Sequence, residues 1–146
     1  MRLWVKKLTT TLVILAAVLT GCEQSQSKEQ IADLSPSDVK NLIDQDRQVL
    51  IIDVRTPVEF TGELGHIPGS VLRPVQEIEE WIREFEDRKD QEIVVVCRSG
   101  NRSGYATKYL QNRAFENVSN MRGGMRAWNK NKYPVSREIE GGEVLP

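Results

Sequence analysis

Ile93-Val94-Val95-Val96-Cys97-Arg98-Ser99-Gly100-Asn101-Arg102-Ser103 is the stretch whose reading decides the fold. Four β-branched residues run straight into a cysteine. An unbroken run of this kind predicts a strand buried on both faces, as in a parallel sheet. Gly100 and Asn101 then supply residue types that tolerate unusual backbone angles. From Ser103 the spacing turns helical, with Tyr105, Ala106, Tyr109 and Leu110 on one face. Cys97 is therefore expected at the carboxyl end of a strand, facing a loop whose N–H groups lead into a helix. Such a loop cradles an anion. The anions expected here are a cysteine thiolate and a negatively charged substrate brought to it.

That placement predicts a reactive thiol. A free thiol has a pKa of about 8.5, so roughly 3% is thiolate at neutral pH. A helix N-terminus and nearby cations lower it, and Arg98 and Arg102 put two positive charges in the loop. A drop of about two units, or about 2.7 kcal/mol, makes the thiolate the majority form. A buried core cysteine would have no use for two flanking arginines and a Gly-Asn turn. Cys97 is thus the candidate nucleophile, with Arg98, Ser99, Gly100, Asn101, Arg102 and Ser103 as substrate-binding candidates.

Working outward, Val49 to Val54 is a second near-continuous apolar strand. Asp53 and Arg55 fall at its carboxyl end, the edge of an open α/β sheet where ligands bind. They are read as support for the site, an ion pair pinning neighbouring loops. His66 is the only histidine. Its place in a Gly-x-x-Pro-Gly turn makes it a structural residue, and a preformed thiolate needs no base. Upstream, Leu34-Ser35-Pro36-Ser37-Asp38-Val39 carries helix-start chemistry: Ser35 as N-cap, Pro36 at N1, Asp38 returning to the cap. Val71 to Val75 reads as a short strand. Ile78, Trp81, Ile82 and Phe85 fall at the spacing of an amphipathic helix. A strand around Val118 to Met121 and a helix opened by Gly123-Gly124 complete one α/β domain. Its sheet is open and parallel, with helices on both faces and right-handed crossovers.

The amino end has a different character. Arg2, Lys6 and Lys7 precede an apolar run from Leu8 to Leu19 that is short for a bilayer span. Leu19-Thr20-Gly21-Cys22 closes it and resembles the bacterial lipobox, in which the cysteine is acylated. The expected organisation is a signal peptide over 1–21 and a flexible polar tether over 22–30. The folded domain then covers 31–135 and a tail 136–146. The expected product is an exported lipoprotein held to the membrane by lipid on Cys22. Without residues 1–21 the chain carries 17 basic and 21 acidic side chains, a net −4, which disfavours nucleic acid as a partner. Cys22 and Cys97 are the only cysteines, so with Cys22 acylated no intramolecular disulfide is available. One thiol and one histidine without ligand spacing predict no metal site.

Four segments resemble the single-domain rhodaneses, the thiosulfate sulfurtransferase family. Cys97-Arg98-Ser99-Gly100-Asn101-Arg102-Ser103 is similar to that family's active-site loop. Asp53-Val54-Arg55 with Glu59-Phe60 resembles its first motif. Gly65-His66-Ile67-Pro68-Gly69-Ser70 resembles its Gly-His-Ile-Pro-Gly turn, and Gly123-Gly124-Met125 with Ala127-Trp128 its closing motif. They stand in the family's order and span about Leu34 to Val135. The sequence departs from the pattern at Glu63-Leu64, which lengthens the segment before Gly65, and at Asn131, where glycine is common.

The resemblance implies a sulfurtransferase in which the Cys97 thiolate takes sulfane sulfur from thiosulfate, sulfite leaves, and a persulfide passes its sulfur on. The acceptor is cyanide, a thiol or a protein. The resemblance implies no cofactor, and a monomer is expected. Two other readings remain open. One is a persulfide carrier or docking module without efficient turnover. The other is a phosphatase or arsenate reductase, whose loops are Cys-x5-Arg. Here Arg102 gives Cys-x4-Arg, a tighter ring that suits one sulfur atom better than a tetrahedral oxyanion.

Overall fold

The computed structural model describes residues 32–139. Five parallel strands form one sheet in the order β1-β5-β4-β2-β3. They are β1 (Ala32–Leu34), β2 (Leu50–Asp53), β3 (Val71–Leu72), β4 (Ile93–Val96) and β5 (Val118–Met121). The helices are α1 (Pro36–Asp44), α2 (Pro57–Phe60), α3 (Ile78–Trp81), α4 (Asn101–Gln111) and α5 (Gly124–Lys130). The predicted class is the observed one: a single α/β domain with an open parallel sheet.

β4 is central, and all four of its residues are buried. Alternation along it feeds two cores. Ile93 and Val95 join Ile52, Val54, Trp81, Phe85 and Leu110 on one face. Val94 and Val96 join Val39, Ile51, Met121, Met125 and Trp128 on the other. A strand buried on both sides reads as a continuous apolar run for this reason.

The first helix forms as its sequence predicts. Ser35 caps α1, and the Asp38 carboxylate accepts back from the Ser35 N–H at 2.9 Å. Elsewhere the structure differs from expectation. β1 and α2 were not foreseen; β1 is three residues long, too short for an alternation to show. The strand expected over 71–75 is reduced to Val71–Leu72. The expected helix beyond Ile78 tightens into a 3₁₀ segment at Ile82–Arg88, which still buries Ile82 and Phe85. Of the residues expected to share one face of α4, Ala106 and Leu110 are buried but Tyr105 is 60% exposed, and Ser103 and Thr107 are buried with them. The chain after Pro134 is not free: the N–H groups of His66 and Ser136 donate to each other's carbonyls at 2.8 and 2.9 Å. The bonded pairing therefore reaches one residue past the expected domain limit.

Candidate active site

Cys97 directly follows β4, and its residue is 1% exposed. The loop beyond it turns at Gly100, which has φ 101° and caps α4. That angle favours glycine over residues with a Cβ. The turn aims the Gly100 N–H at the Cys97 sulfur, 3.1 Å away. From the first turn of α4 the Ser103 hydroxyl reaches the same atom at 3.2 Å. Arg98, Ser99 and Asn101 are exposed around this centre.

Two opposed effects set the thiol's acidity. Burial pushes the Cys97 pKa up. Hydrogen bonds from the Ser103 hydroxyl and from the main chain at Ser103, Ser99 and Gly100 outweigh it and hold the pKa below the ordinary thiol value. The shift has the expected direction; its main sources are the expected loop donors and the Ser103 hydroxyl, ahead of the two arginine charges. Arg102 makes a two-pronged ion pair with Glu59, at 2.8 and 2.7 Å. The pair pulls the Glu59 carboxyl down to about 2. One of the two loop cations is thereby held by a carboxylate while still acting on the Cys97 sulfur, and Arg98, the next residue in the chain after Cys97, is exposed.

Asp53 and Arg55 take the supporting place expected of them. Both are 1% exposed, and the guanidinium grips the carboxylate at 2.9 and 2.7 Å. Arg55 also donates to the carbonyls of Glu59 and Gly65 at 3.0 and 2.7 Å. It thus ties the end of β2 to the segment that presents Glu59. His66 is buried, stacks on Phe60 at 3.6 Å between ring centroids, and its Nδ1 lies 3.0 Å from the Phe60 carbonyl oxygen. That is the turn role assigned to it. Cys22 lies outside the described residues.

Three contributors escaped the sequence reading as site residues. Glu59 is the first; Thr56 caps α2 in a box closed by Glu59, a Thr-Pro-x-Glu signal of the same type as the one read at Ser35. Asn120 is the second. Its Oδ1 accepts from the Ser103 hydroxyl at 2.6 Å, and its Nδ2 donates to Asp33 at 2.8 Å. The sequence carries no local signal for a contact across 17 positions. The third is Gly124, with φ 56°. A Cβ there would collide with the Cys97 carbonyl oxygen. The bare backbone lets α5 start under the loop, with the Met125 N–H donating to the Cys97 carbonyl at 2.8 Å.

Chemically, the arrangement holds one acidified sulfur against N–H and O–H donors. Residues 35–131 match the family described as Rhodanese-like domain, and the chain belongs to that family. It is 40% identical over 87 residues to a sulfurtransferase of Allochromatium vinosum, covering 60% of this chain and 78% of that one. It is 37% identical over 95 residues to the thiosulfate sulfurtransferase GlpE of Pseudoalteromonas translucida, covering 65% and 86%. Among solved structures, a rhodanese-related protein of Thermoplasma volcanium superposes with a TM-score of 0.65 at 29% identity, covering 73% of this chain and 99% of that one.

Proposed function

We propose that the protein is a sulfurtransferase that carries sulfane sulfur as a Cys97 persulfide, with thiosulfate or a similar compound as donor. The observation that carries this reading is the Cys97 sulfur itself, which accepts from the Gly100 N–H, has the Ser103 hydroxyl within reach and has a lowered pKa. The thiolate attacks the outer sulfur of the donor. The donor's S–S bond breaks with its electron pair leaving on sulfite, and Cys97 holds the transferred atom. An acceptor thiolate or cyanide then removes that atom and restores the thiolate. Splitting transfer into two displacements is covalent catalysis, and the loop donors stabilise the negative sulfur in both. Arg98 is the residue placed to attract the anionic donor.

The spacing of Cys97 and Arg102, together with the Glu59 ion pair on that arginine, favours this reading over a phosphatase. Among the described residues, Arg98 is the one loop guanidinium without a carboxylate partner that could receive phosphoryl oxygens. We also infer export and acylation at Cys22, supported by the positive start, the short apolar run and Leu-Thr-Gly-Cys. Cys22→Ser should release the protein from membranes or leave an unprocessed precursor; wild-type protein found in the cytoplasm with Met1 intact would refute the inference.

The deciding experiment is intact-protein mass spectrometry after thiosulfate treatment, followed by cyanide. A gain of one sulfur mapped to Cys97 and discharged by cyanide is the expected result. A protein that hydrolyses an aryl phosphate and never gains sulfur would overturn the proposal.

A further inference from the structure

Charge is unevenly divided along the chain. Between Ile93 and Arg137 there are nine lysines and arginines and one acid, Glu116; between Glu23 and Glu92 there are eight and seventeen. The basic half contains both turns that frame Cys97. Arg98 follows β4, and Arg122 follows β5, so both lie at the carboxyl edge of the parallel sheet. Arg126 lies in the first turn of α5, with its N–H donating to the Arg98 carbonyl at 3.1 Å. All three side chains are exposed, and none joins an ion pair among the described residues. Acids at the same edge are engaged within the domain: Asp53 holds Arg55, Glu59 holds Arg102, and Asp38 closes the α1 cap.

Three exposed arginines outside any ion pair, of which Arg122 lies in the field of the Asp38 carboxylate, exceed what a small donor needs at one buried sulfur. The loop N–H groups and Arg98 already serve it. Arg122 and Arg126 extend the positive field across the mouth of the site, where only a larger anionic body can meet all three. Resting on the sulfurtransferase reading, we propose that Arg98, Arg122 and Arg126 form a docking surface for an acidic protein segment bearing the thiol that accepts sulfur from Cys97. Charge complementarity of this kind accelerates encounter and selects partners. An anionic membrane fits less well, because a bilayer lying on these arginines would cover Cys97 and block its acceptor. In the transfer step the acceptor thiolate attacks the outer sulfur of the Cys97 persulfide. The bond to the Cys97 sulfur breaks, its electron pair returns there as thiolate, and the acceptor leaves as a persulfide. No oxidant, reductant or net proton change is involved.

The test uses the full chain loaded with thiosulfate and two synthetic peptides of equal length. Each holds one cysteine, flanked by Asp and Glu in the first and by Lys in the second. Transfer to the acidic peptide is expected to be about tenfold faster at low salt, and the advantage should shrink as salt screens the charges. Arg122→Glu with Arg126→Glu should reverse the preference while transfer to cyanide stays within about twofold, since cyanide needs no such surface. If the double variant fails to fold, Arg126→Glu alone must still reduce the preference. Equal peptide rates, or a preference untouched by these changes, would overturn the docking surface while leaving cyanide transfer intact. Absence of cyanide transfer in the wild type would instead overturn the sulfurtransferase reading. Arginine-dependent binding to mixed phosphatidylglycerol and phosphatidylcholine vesicles without a peptide preference would replace the acidic segment by a lipid surface.

Discussion

Two segments leave the same edge of the sheet and behave in opposite ways. The segment from Asp53, at the end of β2, to His66 has its principal charged groups engaged: Arg55 holds Asp53, Glu59 reaches across to Arg102 of α4, and the His66 ring lies against the Phe60 carbonyl. The loop after β4 turns its donors inward on a single sulfur and leaves Arg98 exposed. The first segment is a wall and the second a tool held against it. The difference teaches that the Cys97 loop keeps donors aimed at a charge that appears only when the thiol ionises, which a segment whose charges are already paired does not offer.

The largest expected effect breaks the tool and spares the wall. Cys97→Ser keeps the side chain's size but removes the nucleophile. Sulfur transfer from thiosulfate should fall by at least about a thousandfold, or about 4 kcal/mol of transition-state stabilisation, with thermal unfolding nearly unchanged. Steady-state turnover and a melting curve check both halves. Turnover near the wild-type level would remove Cys97 from the mechanism.

The second breaks the wall. Arg55→Ala leaves the Asp53 carboxylate buried without its partner. Stripping one member from a buried pair costs about 3–5 kcal/mol, so denaturant unfolding should move by that amount. A change below about 1 kcal/mol would mean that water or another group replaces the guanidinium.

The third separates the two regions where they meet. Glu59 titrates at about 2 in the fold against an ordinary 4.5, mainly because it accepts from Arg102. A carboxyl lowered on folding adds stability that is complete above its unfolded value and lost as pH falls through the folded one. The loss should run between about pH 4.5 and pH 2. Since the pair is partly exposed, its contribution after solvent screening is about 1–2 kcal/mol. Glu59→Gln should be less stable by that amount at neutral pH, and its acid limb should flatten in that interval. An acid limb identical to that of the wild type would place the stabilisation elsewhere.

What the sequence disclosed follows from the same contrast. Continuous apolar strands, the Ser35 cap and the Cys97 loop were legible because each signal lies within a few adjacent residues. So was the support role of Asp53 and Arg55, two positions apart. The Glu59–Arg102 pair joins residues 43 positions apart, and the Ser103–Asn120 bond spans 17. Local spacing carries no trace of either, so the loop's main-chain donors to the thiolate were expected while the Ser103 hydroxyl's part in lowering its pKa, and the carboxylate that holds Arg102, were not. Glu59 was half visible: its own cap signature announces a helix start, though not the arginine it would hold.

The smallest expected effect sharpens the comparison inside the loop. The Ser103 hydroxyl has one proton and two acceptors, the Cys97 sulfur at 3.2 Å and Asn120 Oδ1 at 2.6 Å. While Cys97 is protonated, its S–H can donate to Ser103, and Ser103 can keep its bond to Asn120. Once the thiolate forms, serving the sulfur means releasing Asn120. Ser103 therefore stabilises the thiolate, and Asn120 competes for the proton that does so. Replacing each by alanine should move the thiol in opposite directions. Ser103→Ala should raise the midpoint of the pH–rate curve for persulfide formation, because the largest of the lowering contributions is gone. Asn120→Ala should lower it, because the hydroxyl then has no rival acceptor. A neutral hydrogen bond is worth about 0.5–1.5 kcal/mol, so each shift should be at most about one pH unit. Thiolate absorbance near 240 nm during a pH titration reads the same midpoints without turnover. Shifts of the same sign in both variants would mean that Asn120 only holds Ser103 in place and does not compete for its proton.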